Sequence, residues 1–363
     1  MGIRLGLLGC GSFGSTFIRH FKAHPDVERL ALCDLEPERL ARCAAEHGVT
    51  ETYDSLEAIA ASDLDAVALF TQNWIHGPQA VALLEAGKDV YSAVPAAASL
   101  EECEALVRAV EASGRLYMMG ETSIFRAECV YCRERAMRGD FGQMVYIEAE
   151  YLHDYEHGLV DVYRHRWGAR FTPDKMGDPP MHYPTHSFGY AIAIAGAHAT
   201  SVSCLGAAIA GDPYHRRDNA SGNPYGDEIA LFALSNGASA RMAEMRMIGH
   251  PGEERVCRVY GTEASFEFGS GGAWWLTKSG RERVEPPYDF GDLPPALAAD
   301  RGGHGGSHAH LVHEFVSAVR DRRQPRMNVW EAVRATAPGL VAHQSAMRGG
   351  ERLSVPDWGD PPG

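Results

Sequence analysis

The sequence predicts an α/β protein in two parts, an N-terminal doubly wound parallel sheet followed by a sheet-rich α+β part. Three observations predict it. Short apolar runs alternate with helix-like stretches through the first 120 residues, a glycine triplet follows the first run, and strand-like runs dominate the second half. The chain has 363 residues, enough for two domains at roughly 150 residues each, and the pattern divides them as 1–120 and 121–363.

Residues 3–8 are the first apolar run, and Gly9-Cys10-Gly11-Ser12-Phe13-Gly14 opens a helical stretch to about His24. Residues 29–34 form a second strand, and 36–47 read as a helix with Pro37 in its first turn. Strands at 65–70, 89–92 and 116–119 then alternate with helices at 77–86 and 100–113. Gly-x-Gly-x-x-Gly is informative only in this context, directly after a strand and at the head of a helix. Gly9 allows a tight turn, Gly11 allows a pyrophosphate to approach the backbone, and Gly14 allows the helix to pack on the strand, with Ser12 and Phe13 between them. Asp34, ending the second strand, suits the two hydroxyls of an adenosine ribose and repels a 2′-phosphate, which favours NAD over NADP. Arg39 is the one nearby cation that argues the other way.

Composition narrows the function. Lys and Arg number 34 against 48 Asp and Glu, giving a net charge of −14, which disfavours nucleic acid or anionic lipid as the main partner. No apolar stretch approaches the roughly 18 residues of a membrane span. The N-terminal run is too short and too soon broken by glycine for a signal peptide. The eight scattered cysteines suit reduced thiols in a cytoplasmic protein. Cys129 and Cys132 read as two core-facing helix positions.

Thr71-Gln72-Asn73-Trp74-Ile75-His76, then residues 80–86 and Gly87-Lys88-Asp89-Val90, resemble the Gfo/Idh/MocA oxidoreductase family over nearly the whole chain. The resemblance implies an N-terminal Rossmann domain and a C-terminal α+β domain on an open, mainly antiparallel sheet that carries a sugar site. Strand-like runs at 144–151, 200–209, 229–235, 238–247, 255–260 and 264–268 agree, with helices at 307–321 and 329–347. It also implies NAD contacts at Thr71, Asn73, His76 and Pro95, and a homo-oligomer, dimer or tetramer, assembled through the C-terminal sheet. The dehydrogenases of the family carry Glu-Lys-Pro where this chain reads Ala93-Val94-Pro95, and Asp-x-x-x-His where it reads His182-Tyr183-Pro184-Thr185-His186.

Four positions resemble instead the NAD-dependent glycoside hydrolase branch, typified by bacterial α-N-acetylgalactosaminidases. Glu121 resembles a Met-Glu-Asn position, Tyr151, in Tyr151-Leu152-His153-Asp154, a Tyr-x-His-Asp motif, and Tyr183 and His186 a Tyr-Pro-Thr-His motif. That branch implies a small glycoside substrate and tightly bound NAD recycled within each turnover: oxidation at C3, loss of the C2 proton with the aglycone, hydration and re-reduction. By resemblance, Tyr183 and His186 serve the 3-hydroxyl, Tyr151 the C2 proton, and Glu121 the nicotinamide ribose. Taken alone, Tyr151 also suits a rim aromatic and His186 a satisfied core histidine, though less well than their functional readings, while Glu121 equally suits a helix cap. His182 and His186 could share a metal only if Pro184 did not interrupt the turn, so no metal site is expected.

Tyr163-Arg164-His165-Arg166-Trp167, with Arg170, gathers cation and aromatic character in an acidic chain. It reads either as a solvated segment or as a pocket wall for an anionic sugar such as a sulfoquinovoside, Trp167 stacking on the ring. His304, in Gly302-Gly303-His304-Gly305-Gly306, reads as part of a linker or of a loop closing on the sugar, a place where His182 and His153 could also contribute. The rival functions are a conventional NAD-dependent sugar or cyclitol dehydrogenase and a non-catalytic cofactor-binding protein.

Overall fold

The computed structural model describes residues 2–168, 171–287, 291 and 293–362, without the side chains of Arg166 and Asp174. The elements run β1 (Ile3–Leu8), α1 (Ser15–Ala23), β2 (Val27–Cys33), α2 (Pro37–His47), β3 (Glu51–Tyr53), α3 (Leu56–Ala60), β4 (Ala66–Leu69), α4 (His76–Glu85), β5 (Asp89–Ser92), α5 (Leu100–Ser113) and β6 (Tyr117–Met119). They continue with α6 (Ala127–Met137), β7 (Met144–Leu152), α7 (Val160–Trp167), α8 (Phe188–Ala195), β8 (Ala199–Ala207), β9 (Asp227–Leu234), β10 (Ser239–Met245), β11 (Glu254–Gly261), β12 (Ala264–Gly269), β13 (Gly272–Thr277) and β14 (Gly280–Val284). Last come α9 (Pro295–Ala299), α10 (Gly303–Asp321), α11 (Val329–Met347) and β15 (Leu353–Ser354).

Two compact units result, 1–126 with 289–333 and 358–363, and 127–288 with 334–357. The sequence suggests a single cut after residue 120. The chain instead re-enters the first unit, because α10 packs on α1 through the stacked rings of His308 and Phe17, 4.2 Å apart. The first sheet has the order β3-β2-β1-β4-β5-β6, with every pair parallel. Its interior strands β4 and β5 are buried at every position, Ala66–Leu69 and Asp89–Ser92, as a sheet covered on both faces requires. Ser55 and Ser99 cap α3 and α5 by accepting the backbone N–H of Ala58 and Glu102. Each such cap is worth about 1 kcal/mol.

The second unit's sheet runs β14-β13-β12-β11-β7-β10-β9-β8-β15. It is antiparallel except where β10 pairs in parallel with β7. On one face Ile147, Ala149, Ala230, Phe232, Ala240, Met242 and Val259 are buried, while on the other Leu205, Ile229 and Leu231 are exposed. β13 and β14 extend this sheet beyond the strands read from the sequence, since β14 (Gly-Arg-Glu-Arg-Val) is polar and largely exposed. All eight cysteines are free thiols and buried. No described helix is long and apolar enough to cross a membrane.

The turn after β1 is fixed by close backbone approach. Gly9 has φ 101°, and a Cβ there would lie 2.6 Å from the Phe70 carbonyl oxygen; at Gly14 it would lie 2.1 Å from the Gly9 carbonyl oxygen. Neither obstacle is a side chain that can swing away. Gly14→Ala is therefore expected to lower unfolding stability by about 2 kcal/mol or more, an overpacking cost, seen as an earlier urea midpoint; an unchanged midpoint would show that α1 can shift to admit the methyl.

Candidate active site

In the first unit, the glycine turn lies at the switch point between β1 and β4, where strand order reverses and ligands of doubly wound sheets bind. Gly11 differs from its neighbours, since a Cβ there would meet nothing within 4 Å. Its outer face is open space at the head of α1, the cradle a pyrophosphate needs. Asp34 is buried, accepting the N–H of Cys10 at 2.8 Å and of Glu36 at 2.9 Å. Arg39 also reaches it at 3.2 Å, so the cation that could favour a 2′-phosphate is already paired with the carboxylate. Asn73 keeps a buried Oδ1 with no hydrogen-bond partner among the described residues, an acceptor awaiting a donor. These features fit a dinucleotide.

Other expected cofactor residues have structural duties. His76 is buried with its Nδ1 2.9 Å from the Pro95 carbonyl and its Nε2 3.2 Å from that of Thr71, tying the loops after β5 and β4 together. Thr71 Oγ1 donates to Gln79 at 2.5 Å. Glu121, fully buried, accepts the Ser123 N–H at 2.7 Å and caps the short helical turn at 122–125. Ser12 is exposed, and Phe13 meets the rings of Phe17 and Phe70. His304 lies in this unit, its ring 5.6 Å from that of Phe13 and its Nδ1 2.9 Å from His308 Nε2. The glycine segment reaches this position through left-handed backbone at His304, Gly305 and Gly306. It is thus a kinked start of α10 that packs against the dinucleotide turn, in place of the expected open loop.

The second unit brings together Tyr151, His153, Tyr183 and His186. The Tyr151 and His186 rings are 5.1 Å apart, and those of Tyr183 and His186 5.2 Å. Tyr151 Oη and His153 Nδ1 are 2.7 Å apart, and His153 Nε2 lies 3.0 Å from the His157 carbonyl. A carbonyl only accepts, so Nε2 carries the proton, Nδ1 is bare, and the Tyr151 hydroxyl donates to it. Burial pushes the Tyr151 phenol well above its usual range, and burial lowers the His153 imidazole, which favours its neutral form. His153, expected among the sugar contacts, is thus a partner of Tyr151.

A buried polar row anchors the cluster. Strand register sets Arg255 (β11), Tyr151 (β7), Glu244 (β10) and Glu228 (β9) side by side. Glu228, with no exposed surface, accepts the Met181 N–H at 2.9 Å and pairs with His343 of α11 at 2.7 Å. Glu244, equally buried, accepts the hydroxyl of Ser187 and pairs with Arg246 at 2.8 Å. Both ends of the segment 181–187 that carries Tyr183 and His186 are therefore tied to acids in the sheet. Burial lifts the Glu244 carboxyl to about 7 against the pull of Arg246 and Ser187. The guanidinium carbons of Arg246 and Arg255 lie 4.8 Å and 5.4 Å from the Tyr151 ring centre. These charged residues escaped the sequence reading, yet they leave a signal: Glu228 and Glu244 occupy inward positions of the alternations Glu228-x-Ala230-x-Phe232 and Ala240-x-Met242-x-Glu244, where an acid needs a buried partner.

His182 packs on His343 with ring centres 5.1 Å apart, and burial takes its imidazole down to about 3. His182 and His186 therefore serve different neighbours. Arg164 sits exposed on α7, paired with Asp161 at 3.1 Å. The Lys175 ammonium lies 5.2 Å from the Trp167 ring centre. The Arg166 side chain and Arg170 lie outside the described residues. Just past His153, a cleft of about 550 Å³ is lined by His157, Tyr214, Met247, Ile248 and His250 among others.

Residues 3–121 match the model of the Gfo/Idh/MocA oxidoreductase family, described as an NAD-binding Rossmann fold. The six-stranded parallel sheet of the first unit is the Rossmann fold that this model describes. Over 98% of its length the chain is similar to a glycosyl hydrolase family 109 protein of Streptomyces niveus, 26% identical across 77% of that protein. An α-N-acetylgalactosaminidase of Bacteroides fragilis is 28% identical over 52% of this chain and 47% of its own. Among solved structures, levoglucosan dehydrogenase with NADH superposes at a TM-score of 0.81 with 19% identity, covering 98% of this chain and all (100%) of that one. The myo-inositol 2-dehydrogenase of Lactobacillus plantarum gives 0.76 with 17% identity, covering 98% and 100% respectively. These two likenesses concern the fold.

Two outcomes are expected. Gly11→Val should weaken NAD binding at least about tenfold by calorimetry, because it fills the phosphate cradle, and should leave the melting temperature of the NAD-free protein unchanged. Glu228→Ala should cost about 3–5 kcal/mol of stability in denaturant titration, because it strands a buried backbone N–H and the His343 partner; a loss below about 1 kcal/mol would show that the segment is held elsewhere.

Proposed function

We propose that the protein is an NAD-dependent glycoside hydrolase that releases the aglycone of a hexoside with no net redox change. The carrying observation is the meeting of Tyr151, His153, Tyr183 and His186 in one group of proton-handling side chains. The likeness to family 109 glycosyl hydrolases supports the same reading, as does Val94 in place of the lysine that resemblance to the dehydrogenases would require.

NAD would be held tightly by the Gly9–Gly14 turn, Asp34, Asn73 and the loops carrying Thr71 and Pro95, with Glu121 toward the nicotinamide ribose; when bound it supplies a hydride acceptor for the sugar's C3 and returns the hydride at the end of the cycle. His186 and Tyr183 take the proton of the 3-hydroxyl as the ketone forms. A 3-ketone acidifies the C2 proton, because the electron pair left behind delocalises into the carbonyl. Tyr151 removes that proton, the C1=C2 bond forms, and the bond between C1 and the aglycone oxygen breaks. Its electron pair leaves on the oxygen, which takes a proton from solvent or from a neighbouring acid. Water adds to C1 of the resulting enone, and reduction at C3 restores the sugar. The hexoside is neutral or anionic, a sulfoquinovoside being an example of the latter, and the exposed Arg164 pairs with Asp161 on the surface of α7. A homo-oligomer through the second unit's sheet belongs to the same proposal, supported by the exposed Leu205, Ile229 and Leu231 on neighbouring strands.

A panel of nitrophenyl hexosides, including the N-acetyl-α-galactosaminide and the sulfoquinovoside, tests the reading in D2O. The expected product carries deuterium at C2 by proton NMR, and a label placed at C3 stays there. Net NADH formation with loss of the C3 label would instead identify a dehydrogenase. Aglycone release with C2 untouched would identify direct displacement.

A further inference from the structure

Tyr151 poses a problem that the geometry around it answers. To remove a proton from carbon the phenol must first lose its own, yet Tyr151 is 6% exposed and burial resists a standing phenolate. Its hydroxyl already has an acceptor, His153 Nδ1 at 2.7 Å. We propose that His153 is the proton relay of Tyr151: as Tyr151 accepts the C2 proton, its original proton passes to His153 Nδ1. This rests on the glycosidase reading above.

The step balances. The C2–H bond breaks and a new O–H forms on Tyr151. The old O–H breaks and an N–H forms on His153. The electron pair of the C2–H bond enters the enolate of the 3-ketone, and His153 becomes an imidazolium until solvent takes its proton. The His157 carbonyl suits both states, because it accepts from Nε2 whether the ring is neutral or charged. It also fixes the tautomer, so that Nδ1 rather than Nε2 faces the phenol.

The surrounding charges suit a brief negative charge on Tyr151 better than a lasting positive charge on His153. Arg246, from the end of β10, and Arg255, from β11, flank β7 on its two sides and lie over the Tyr151 ring. Glu244 holds Arg246 at 2.8 Å, and Glu253 holds Arg255 at 2.9 Å. Glu253 favours a charged His153, whereas Arg246 and His186 oppose it, and Tyr183 stands near the phenol. The relay is therefore neutral at rest and ready to accept.

The test uses the NAD-loaded protein and His153→Gln. Glutamine can accept the Tyr151 hydrogen bond but cannot keep the proton. The probe is the 3-keto form of the nitrophenyl hexoside selected by the panel, which bypasses oxidation and so the duties of Tyr183 and His186. His153→Gln is expected to slow nitrophenol release from it about 100-fold or more, in the range of general-base contributions, with an unchanged melting temperature. The parent's rate should fall as pH drops below the ordinary histidine range, and that acid limb should vanish in the variant. Nitrogen-15 spectra of the parent should show His153 as the Nε2–H tautomer, with its Nδ1 signal shifted by Tyr151→Phe. An Nδ1–H tautomer, or release within threefold of the parent by His153→Gln, would overturn the relay alone. A parent that leaves C2–H intact on the keto probe would overturn the relay together with the glycosidase reading.

Discussion

Two carboxylates buried in the second unit's sheet, Glu228 and Glu244, impose the constraint on which the rest of the cluster depends. A carboxylate without exposed surface must be met by donors or protonated, because desolvation otherwise costs several kcal/mol. Glu228 finds its donors in the Met181 amide and His343, and Glu244 in Ser187 and Arg246. Three of these partners act as anchors: Met181 and Ser187 bracket Tyr183 and His186, and Arg246 lies on the Tyr151 ring. The satisfaction of two buried carboxyl groups and the placement of Tyr151, Tyr183 and His186 are one event.

Helix α11 shows how closely this arrangement is fitted. A Cβ at Gly339 would lie 2.0 Å from the Met181 carbonyl oxygen and 2.5 Å from the Pro184 ring. The helix can present His343 to Glu228 only because a glycine lets its backbone reach the segment that Glu228 also holds. Pro338, in the same helix, removes an N–H that would otherwise serve the helix ladder. The tight fit on one side contrasts with the outer sheet face, where Arg241 bridges Glu148 and Glu150 among exposed aliphatic residues.

The sequence conveyed five of the six strands of the first unit's sheet, since each falls on a short local run and the glycine turn has a fixed grammar. β3 and α3 escaped because Glu51–Tyr53 and Leu56–Ala60 are too short to show a period. In the second unit, Tyr151, Tyr183 and His186 were legible through motif resemblance, whereas Arg246, Arg255 and His343 were not. Their role depends on strand register and on a helix from the far end of the chain, which no local pattern encodes. His153 was visible as a residue but not in its role, because the Tyr151 hydroxyl and the His157 carbonyl that define it converge only once β7 has ended. His304 was misread for a related reason: four glycines suggest an open loop, but three consecutive left-handed residues instead fold the segment onto Phe13.

The parallel pairing of β10 with β7 also bears on how the protein comes to be folded. Parallel neighbours cannot be joined by a hairpin, and the chain between them must first lay down α7, α8, β8 and β9. Tyr151 and Glu244 therefore become neighbours only after a long loop has closed, a contact of high sequence separation that forms slowly. A ribosome-bound chain that has emerged only as far as His153 holds Tyr151 and His153 but neither arginine nor either acid. The electrostatic setting of the cluster is consequently completed only when the sheet of the second unit is assembled, and an incompletely folded chain carries the motif without it.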